Sequence, residues 1–207
     1  MREVIDAIRL RRARRAFESR AVPAEVQATL WEAVSLAPSH GNNQPVRLVV
    51  AEGAEPHEAL MCALSDGNRG WAGAAPLLVA VLVDPAHDVA APNRDGSSRE
   101  LWPMHAGIAL GNLLAQATSM GLIAHPMAGF DETAVKEALG IPDGVRVATV
   151  VAIGYQGAAA SLVADLQQRE TADRKRLPME CVVSIDRWDA RQAVSARAYR
   201  DRLEEER

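Results

Sequence analysis

Hydrophobic positions along this chain switch between helical and strand-like spacing, and the switches mark out its elements. Val4, Ile5 and Ile8 recur at helical spacing and predict a short helix near the start. Pro23 suits a first helical position, and Val26, Leu30, Ala33, Val34 and Ala37 continue an i, i+4, i+7 stripe, so a second helix is predicted up to Pro38. Arg47–Ala51 reads as a strand and His57–Leu64 as a short helix. Leu77–Val83 is apolar at every position, which predicts a strand buried on both faces. From Asp84 to Ser98 the residues are mainly Pro, Asn, Asp, Gly and Ser, the composition of a mobile connection able to cover a substrate as a lid.

Leu101–Met120 is apolar on nearly all sides, and Gly107, Ala109 and Gly111 are small enough to admit another backbone. The pattern predicts a helix at the centre of the molecule or at a dimer seam, ended by Gly121. Leu122–Met127 reads as a strand, Asp131 as the cap of a helix running to Gly140, and Val145–Ile153 as a central strand. Ser161–Arg174 is predicted to be partly helical, and Ala190–Arg207 to be a charged helix with a thin apolar face. There is no internal repeat. Elements in this order predict an α+β sandwich with a mixed sheet.

The 207 residues suit one domain, long enough to bury on the order of 70% of the unfolded chain's surface. Net charge is −4, and the basic residues, all arginine except Lys136 and Lys175, are interleaved with acids rather than gathered into a stripe. This argues against a nucleic-acid partner. Cys62 and Cys181 form neither a metal knuckle nor a redox pair, and the five histidines show no zinc-like pairing with acids. The first residues lack the apolar core of a signal peptide, and Pro76–Val83 falls far short of the ~20 residues that span a bilayer. A cytoplasmic protein with no membrane partner is expected.

Two tight cationic clusters stand out, Arg11-Arg12-Ala13-Arg14-Arg15 and Arg174-Lys175-Arg176. Arginine's planar fork suits phosphate, although on charge alone each cluster also reads as a solvated helix end. The segment Ala37-Pro38-Ser39-His40-Gly41-Asn42-Asn43-Gln44-Pro45 shifts that balance. Together these pieces resemble the FMN-dependent nitroreductase family. That family has an Arg-x-Ser-x-basic-x-Phe segment, here Arg11 to Phe17, then a loop of the form Ala-Pro-Ser-x-x-Asn-x-Gln-Pro-Trp, here Ala37 to Val46. Gly107–Leu114 followed by Gly121-Leu122 is similar to its long central helix, Pro126–Asp131 to its flavin-edge loop, and Arg174–Pro178 to its C-terminal phosphate-side motif.

The resemblance implies a nitroreductase-like α/β/α sandwich with a mixed sheet in an intertwined homodimer. It makes 1–207 a single FMN-binding domain, with a core of about 3–180 and a C-terminal extension of 181–207. Its activity would be that of an NAD(P)H-dependent oxidoreductase. The implied cofactor is FMN, with NADH or NADPH as transient co-substrate and a small-molecule acceptor such as a nitroaromatic or quinone, reduced by a ping-pong mechanism. The alternatives are a non-catalytic FMN-binding or sequestering protein, or a divergent activity such as flavin destruction or reductive dehalogenation.

By the same resemblance the cofactor-binding positions are Arg11, Arg12, Ala13, Arg15, Pro38, Ser39, His40, Asn42, Asn68, Ala128, Gly129, Arg174 and Arg176. Arg11, Arg174 and Arg176 belong to the phosphate side, and Arg15 and Asn68 to the pyrimidine edge. Ala128 and Gly129 offer backbone donors to flavin N5, and Pro38–Asn42 reaches the flavin of the second subunit. The side-chain charges of Arg12, Arg14 and Lys175 read as surface charge. No catalytic side chain and no metal ligand is implied. Four positions depart from the family pattern: Ala13 for serine, Val46 for tryptophan, Trp71 for a lysine found in some members, and His105 for aspartate. Trp71 is thereby expected to narrow or cap the substrate side.

Overall fold

The computed structural model describes residues 3–88 and 91–205. Two compact units make up the chain, Met1–Glu170 and Thr171–Arg207. In the larger unit the elements are α1 (Asp6–Arg9), α2 (Ala24–Ser35), β1 (Val46–Ala51), α3 (Ala54–Cys62), α4 (Asp66–Ala72), β2 (Leu77–Val83), β3 (Ala91–Pro92), β4 (Ser98–Arg99), α5 (Trp102–Ser119), β5 (Leu122–Met127), α6 (Glu132–Leu139) and β6 (Arg146–Tyr155). Helix α7 (Ala164–Thr171) closes it. The C-terminal unit carries short 3-10 turns and α8 (Ala196–Glu205).

Four strands form one sheet in the order β1-β2-β6-β5. All seven residues of β2 are buried, because helices cover both faces of the sheet. Alternation along the strand divides them: Leu78, Ala80 and Leu82 pack with Leu60 of α3, Trp71 and Ala72 of α4 and Val135 of α6. Leu77, Val79 and Val81 pack with Leu30 of α2 and Leu113 and Ala117 of α5. The result is the expected α/β/α sandwich of an α+β protein. The expected mixed sheet is corrected: β1-β2, β2-β6 and β6-β5 are all antiparallel, so no parallel pairing occurs within the described chain.

Helix ends follow local chemistry. Asp131 Oδ1 accepts from the Ala134 amide at 3.1 Å, and Gly140, at φ 65°, closes α6 in a left-handed turn that a side chain disfavours. The predicted N-terminal helix shrinks to four residues with Val4, Ile5, Ile8 and Leu10 all exposed. Helix α5 is buried along one face only, through His105, Ala106, Ala109, Leu113 and Ala117, while Met104, Gly107 and Gly111 face outward. Helix α4 stands beyond the elements expected from the sequence, and it forms although Gly67 and Gly70 weaken a helix interior. In the 84–98 connection, Pro85–His87 forms a 3-10 turn and β3 pairs with β4; the part of the lid reading that falls on residues 89 and 90 lies outside the described residues. The predicted C-terminal helix begins as a separate 3-10 turn at Ala190–Ala193, and its residues 206 and 207 also lie outside. Among the described residues, no helix is long and apolar enough to cross a membrane.

Candidate functional site

The arginine segment is held in an extended course along the end of β6. Phe17 bridges Gln156, the Glu18 amide donates to Tyr155 O at 3.0 Å, and the Gly157 amide donates to Ala16 O at 2.8 Å. Its anchor is Glu170, 2% exposed, whose carboxylate accepts from the amides of Arg15 (2.9 and 3.1 Å) and Ala16 (3.2 Å) and from Gln156 Nε2 (3.2 Å). Buried amides need acceptors, so this carboxylate fixes where the arginine side chains start. Arg11 and Arg12 are half-buried and Ala13 is exposed. The Arg15 guanidinium lies 5.8 Å above the Trp71 ring.

Trp71 packs into the core beside Arg15. It is 4% exposed, stacks on Phe17 at 6.2 Å and tilts against His125 at 4.5 Å, while its Nε1 donates to Gly67 O at 2.9 Å. A large aromatic side chain one position before Ala72 is drawn into the core that α4 covers, and it also lines a cavity of about 190 Å³ with Arg15 and Phe17. His125 Nδ1 donates to Arg14 O at 2.9 Å. Burial pushes the His125 pKa below its ordinary 6.5, and the nearby charge of Arg15 acts in the same direction; the bond to Arg14 O opposes both. The folded state therefore favours the neutral ring more than the unfolded chain does. Stability is complete above about pH 6.5 and falls as the pH drops below it, where the unfolded chain protonates first. Urea unfolding at about pH 7.5 and 5.5 will show this loss, and His125→Gln will show less of it.

Asn68 and Gly129 meet at the end of β5. Gly129 O accepts from the Ser65 amide (2.9 Å) and from Asn68 Nδ2 (3.0 Å). A Cβ at Gly129 would collide with Ser65 Oγ and lie 2.9 Å from Asn68 Nδ2, so only glycine permits this approach. Because Nδ2 is used internally, Asn68 presents Oδ1, an acceptor without a protein partner among the described residues. The backbone N–H groups of Ala128 and Gly129 likewise donate to no described acceptor.

The remaining predicted residues of this unit gather elsewhere. Pro38 and Ser39 line a cavity of about 250 Å³ with Trp31, Val46, Arg47 and His105; none of Arg15, Asn68 and Gly129 borders it. Ser39 Oγ accepts from the Gln44 amide at 2.8 Å, and the His40 amide donates to His105 Nε2 at 3.0 Å. His40 and Asn42 are themselves exposed. The loop enters β1, one edge of the sheet, whereas Gly129 follows β5, the other edge. At the same end of the sheet, three strand spacings separate them, roughly 14 Å. In the C-terminal unit, Arg174 is half-buried, and Arg176 is exposed with Nη1 donating to Lys175 O at 2.9 Å.

The sequence matches the profile of the nitroreductase family over residues 8–155. The chain belongs to the nitroreductase family. Among its relatives, an NADH dehydrogenase of Thermus thermophilus is 30% identical, with 84% of this chain and 91% of that protein aligned. An uncharacterized protein of Mycolicibacterium smegmatis is 35% identical over 67% of this chain and 88% of its own length. A crystal structure described as an oxidoreductase containing FMN is 31% identical, superposes with a TM-score of 0.80, and covers 91% of this chain and 94% of that one. This nitroreductase-family chain is accordingly an oxidoreductase with the family's fold.

Sequence reading of the chain missed Glu170 and Asp88. Glu170 had a visible signal: it lies four residues after Leu166, which packs against the core, so it falls on the buried face of α7. Asp88 had none, because its partners, the Leu101 amide and His105, lie beyond an irregular connection whose course spacing does not encode.

Proposed function

We propose that this nitroreductase-family protein is a homodimeric oxidoreductase that binds one FMN per chain, with 1–207 acting as a single functional domain. NADH or NADPH would be the donor, and nitroaromatics, quinones or similar conjugated molecules the acceptors. The observation that carries the reading is the wall formed by Asn68, Ala128 and Gly129. It offers one free acceptor and two free backbone donors side by side, which suits the N3–H of a flavin pyrimidine and its N5. Arg15 adds a fixed positive charge one helical turn away, over Trp71, that would favour the anionic reduced ring. Arg11 supplies a phosphate cation, and the resemblance assigns Arg174 and Arg176 the same task.

When bound, FMN supplies hydride acceptance at N5 from the nicotinamide and hydride donation to the acceptor, in a ping-pong cycle. The residues of the chain orient the ring, neutralise its charge and leave one face open. The separation of the Pro38–Asn42 loop from Gly129 within one chain supports its service to the partner's site. Exposed Val4, Ile5, Ile8, Leu10 and Met104 supply apolar surface for that partner to cover.

Stopped-flow mixing of FMN-loaded protein with NADH, and separately with NADPH, tests the reading. The oxidised-flavin absorbance will bleach with at least one donor and return on addition of a quinone or nitroaromatic. A flavin that stays oxidised with both would make the protein an FMN binder without turnover.

A further inference from the structure

We propose that His105 is a positioning residue that holds the Pro38–Asn42 loop in shape through an acceptor at its Nε2. The loop needs such a hold. Gly41, Asn42 and Gln44 have φ of 59°, 57° and 47°, and the two that are not glycine adopt a left-handed backbone that persists only where the surroundings over-determine it. Inside the loop, Ser39 Oγ and Ser39 O accept from the Gln44 and Asn42 amides at 2.8 and 3.1 Å. The bond that ties the loop to α5 is the His40 amide donating to His105 Nε2 at 3.0 Å.

That bond fixes the tautomer of the ring. An Nε2 that accepts carries no hydrogen, so a neutral His105 bears its proton on Nδ1. Nδ1 lies 2.9 Å from Asp88 Oδ1, and the two side chains are 1% and 4% exposed. Neither atom meets hydrogen-bond geometry with any described residue, the other included, so proximity and the carboxylate's charge, rather than a formed hydrogen bond, hold the proton on that side. Asp88 Oδ2 in turn accepts from the Leu101 amide at 3.1 Å, at the start of α5. The chain Leu101 amide, Asp88, His105, His40 amide thus links the 84–100 connection, α5 and the loop. Asp88 selects the tautomer, and the tautomer presents the acceptor.

The consequence for flavin retention rests on the FMN reading above, and the test separates the two. Two variants divide the roles of the ring. His105→Gln keeps an acceptor at the reach of Nε2, whereas His105→Asn keeps a donor toward Asp88 but is too short for the loop. In the dimeric holoprotein labelled with ¹⁵N-histidine, the wild-type His105 ring will show the Nδ1–H tautomer. In His105→Asn the His40 amide will exchange with solvent faster, and FMN will leave faster on dilution, followed by free-flavin fluorescence. The expected change is roughly two- to tenfold, the worth of one neutral hydrogen bond. His105→Gln will stay near wild type in both. An Nε2–H tautomer, or equal behaviour of the two variants, would overturn the proposal. If the protein carries no FMN, the functional reading fails, and tautomer and His40 exchange still decide the role of His105.

Discussion

Glu170→Ala will destabilise this protein more than any other single exchange of a polar side chain in the larger unit. The substitution leaves the buried amide of Ala16 and the part-buried amide of Arg15 without their acceptor and frees Gln156. Each buried orphan amide costs about 1–3 kcal/mol, so the unfolding free energy will fall by roughly 2–6 kcal/mol. The loss has a functional side, because the segment released carries Arg11 and Arg15. Glu170→Gln can keep its oxygen at the Oε1 position, which accepts from both amides and from Gln156, but it sets an NH₂ against the Arg15 amide, so it will lose less than Glu170→Ala. Urea unfolding of the three proteins measures both values. A Glu170→Ala variant within about 1 kcal/mol of wild type would mean that the arginine segment is held by something else.

Gly129→Ala will damage the site more directly. Its Cβ would meet Ser65 Oγ and Asn68 Nδ2, and Ser65 also caps the entry to α4 with its amide on Gly129 O. Relief requires Ser65 Oγ and the Asn68 amide to swing aside and Ser65 Cβ to give way, which disturbs the wall of Asn68, Ala128 and Gly129. Overpacking of this kind costs about 1–3 kcal/mol of stability. FMN affinity will fall at least about tenfold, since one lost charge-assisted or two neutral bonds suffice for that. Gly144→Ala serves as the control: nothing lies within 4 Å of its Cβ, so both the urea midpoint and the FMN titration will stay near wild type.

Much of this fold can be read from apolar runs and their punctuation. Leu77–Val83 and Leu122–Met127 coincide with β2 and β5, because strands covered by helices on both faces must be apolar almost throughout. Asp131 and Gly140 bracket α6 for local reasons, a side-chain acceptor at one end and a left-handed residue at the other. What could not be read was decided by tertiary contact. Helix α4 forms against its glycines because Trp71 is buried against Phe17 and because Ser65 and Asn68 bind Gly129. The antiparallel sheet overturned a mixed one because strand direction depends on how the helices cross, which spacing alone does not encode.

The candidate site divides in the same way. Arg15, Asn68, Ser39, Ala128 and Gly129 stand out by residue type and by resemblance. Glu170, which holds the Arg15 amide, and His105, which holds the His40 amide, are partnerships between segments far apart in sequence, and Asp88 reaches His105 across the 84–98 connection.

Acid release of the flavin from protein purified without added cofactor tests the central claim most directly. The protein will be yellow, and chromatography of the released chromophore will give FMN at about one per chain, as expected where arginines meet a terminal phosphate. FAD in its place, or a colourless protein whose absorbance and fluorescence ignore added FMN, would contradict the account.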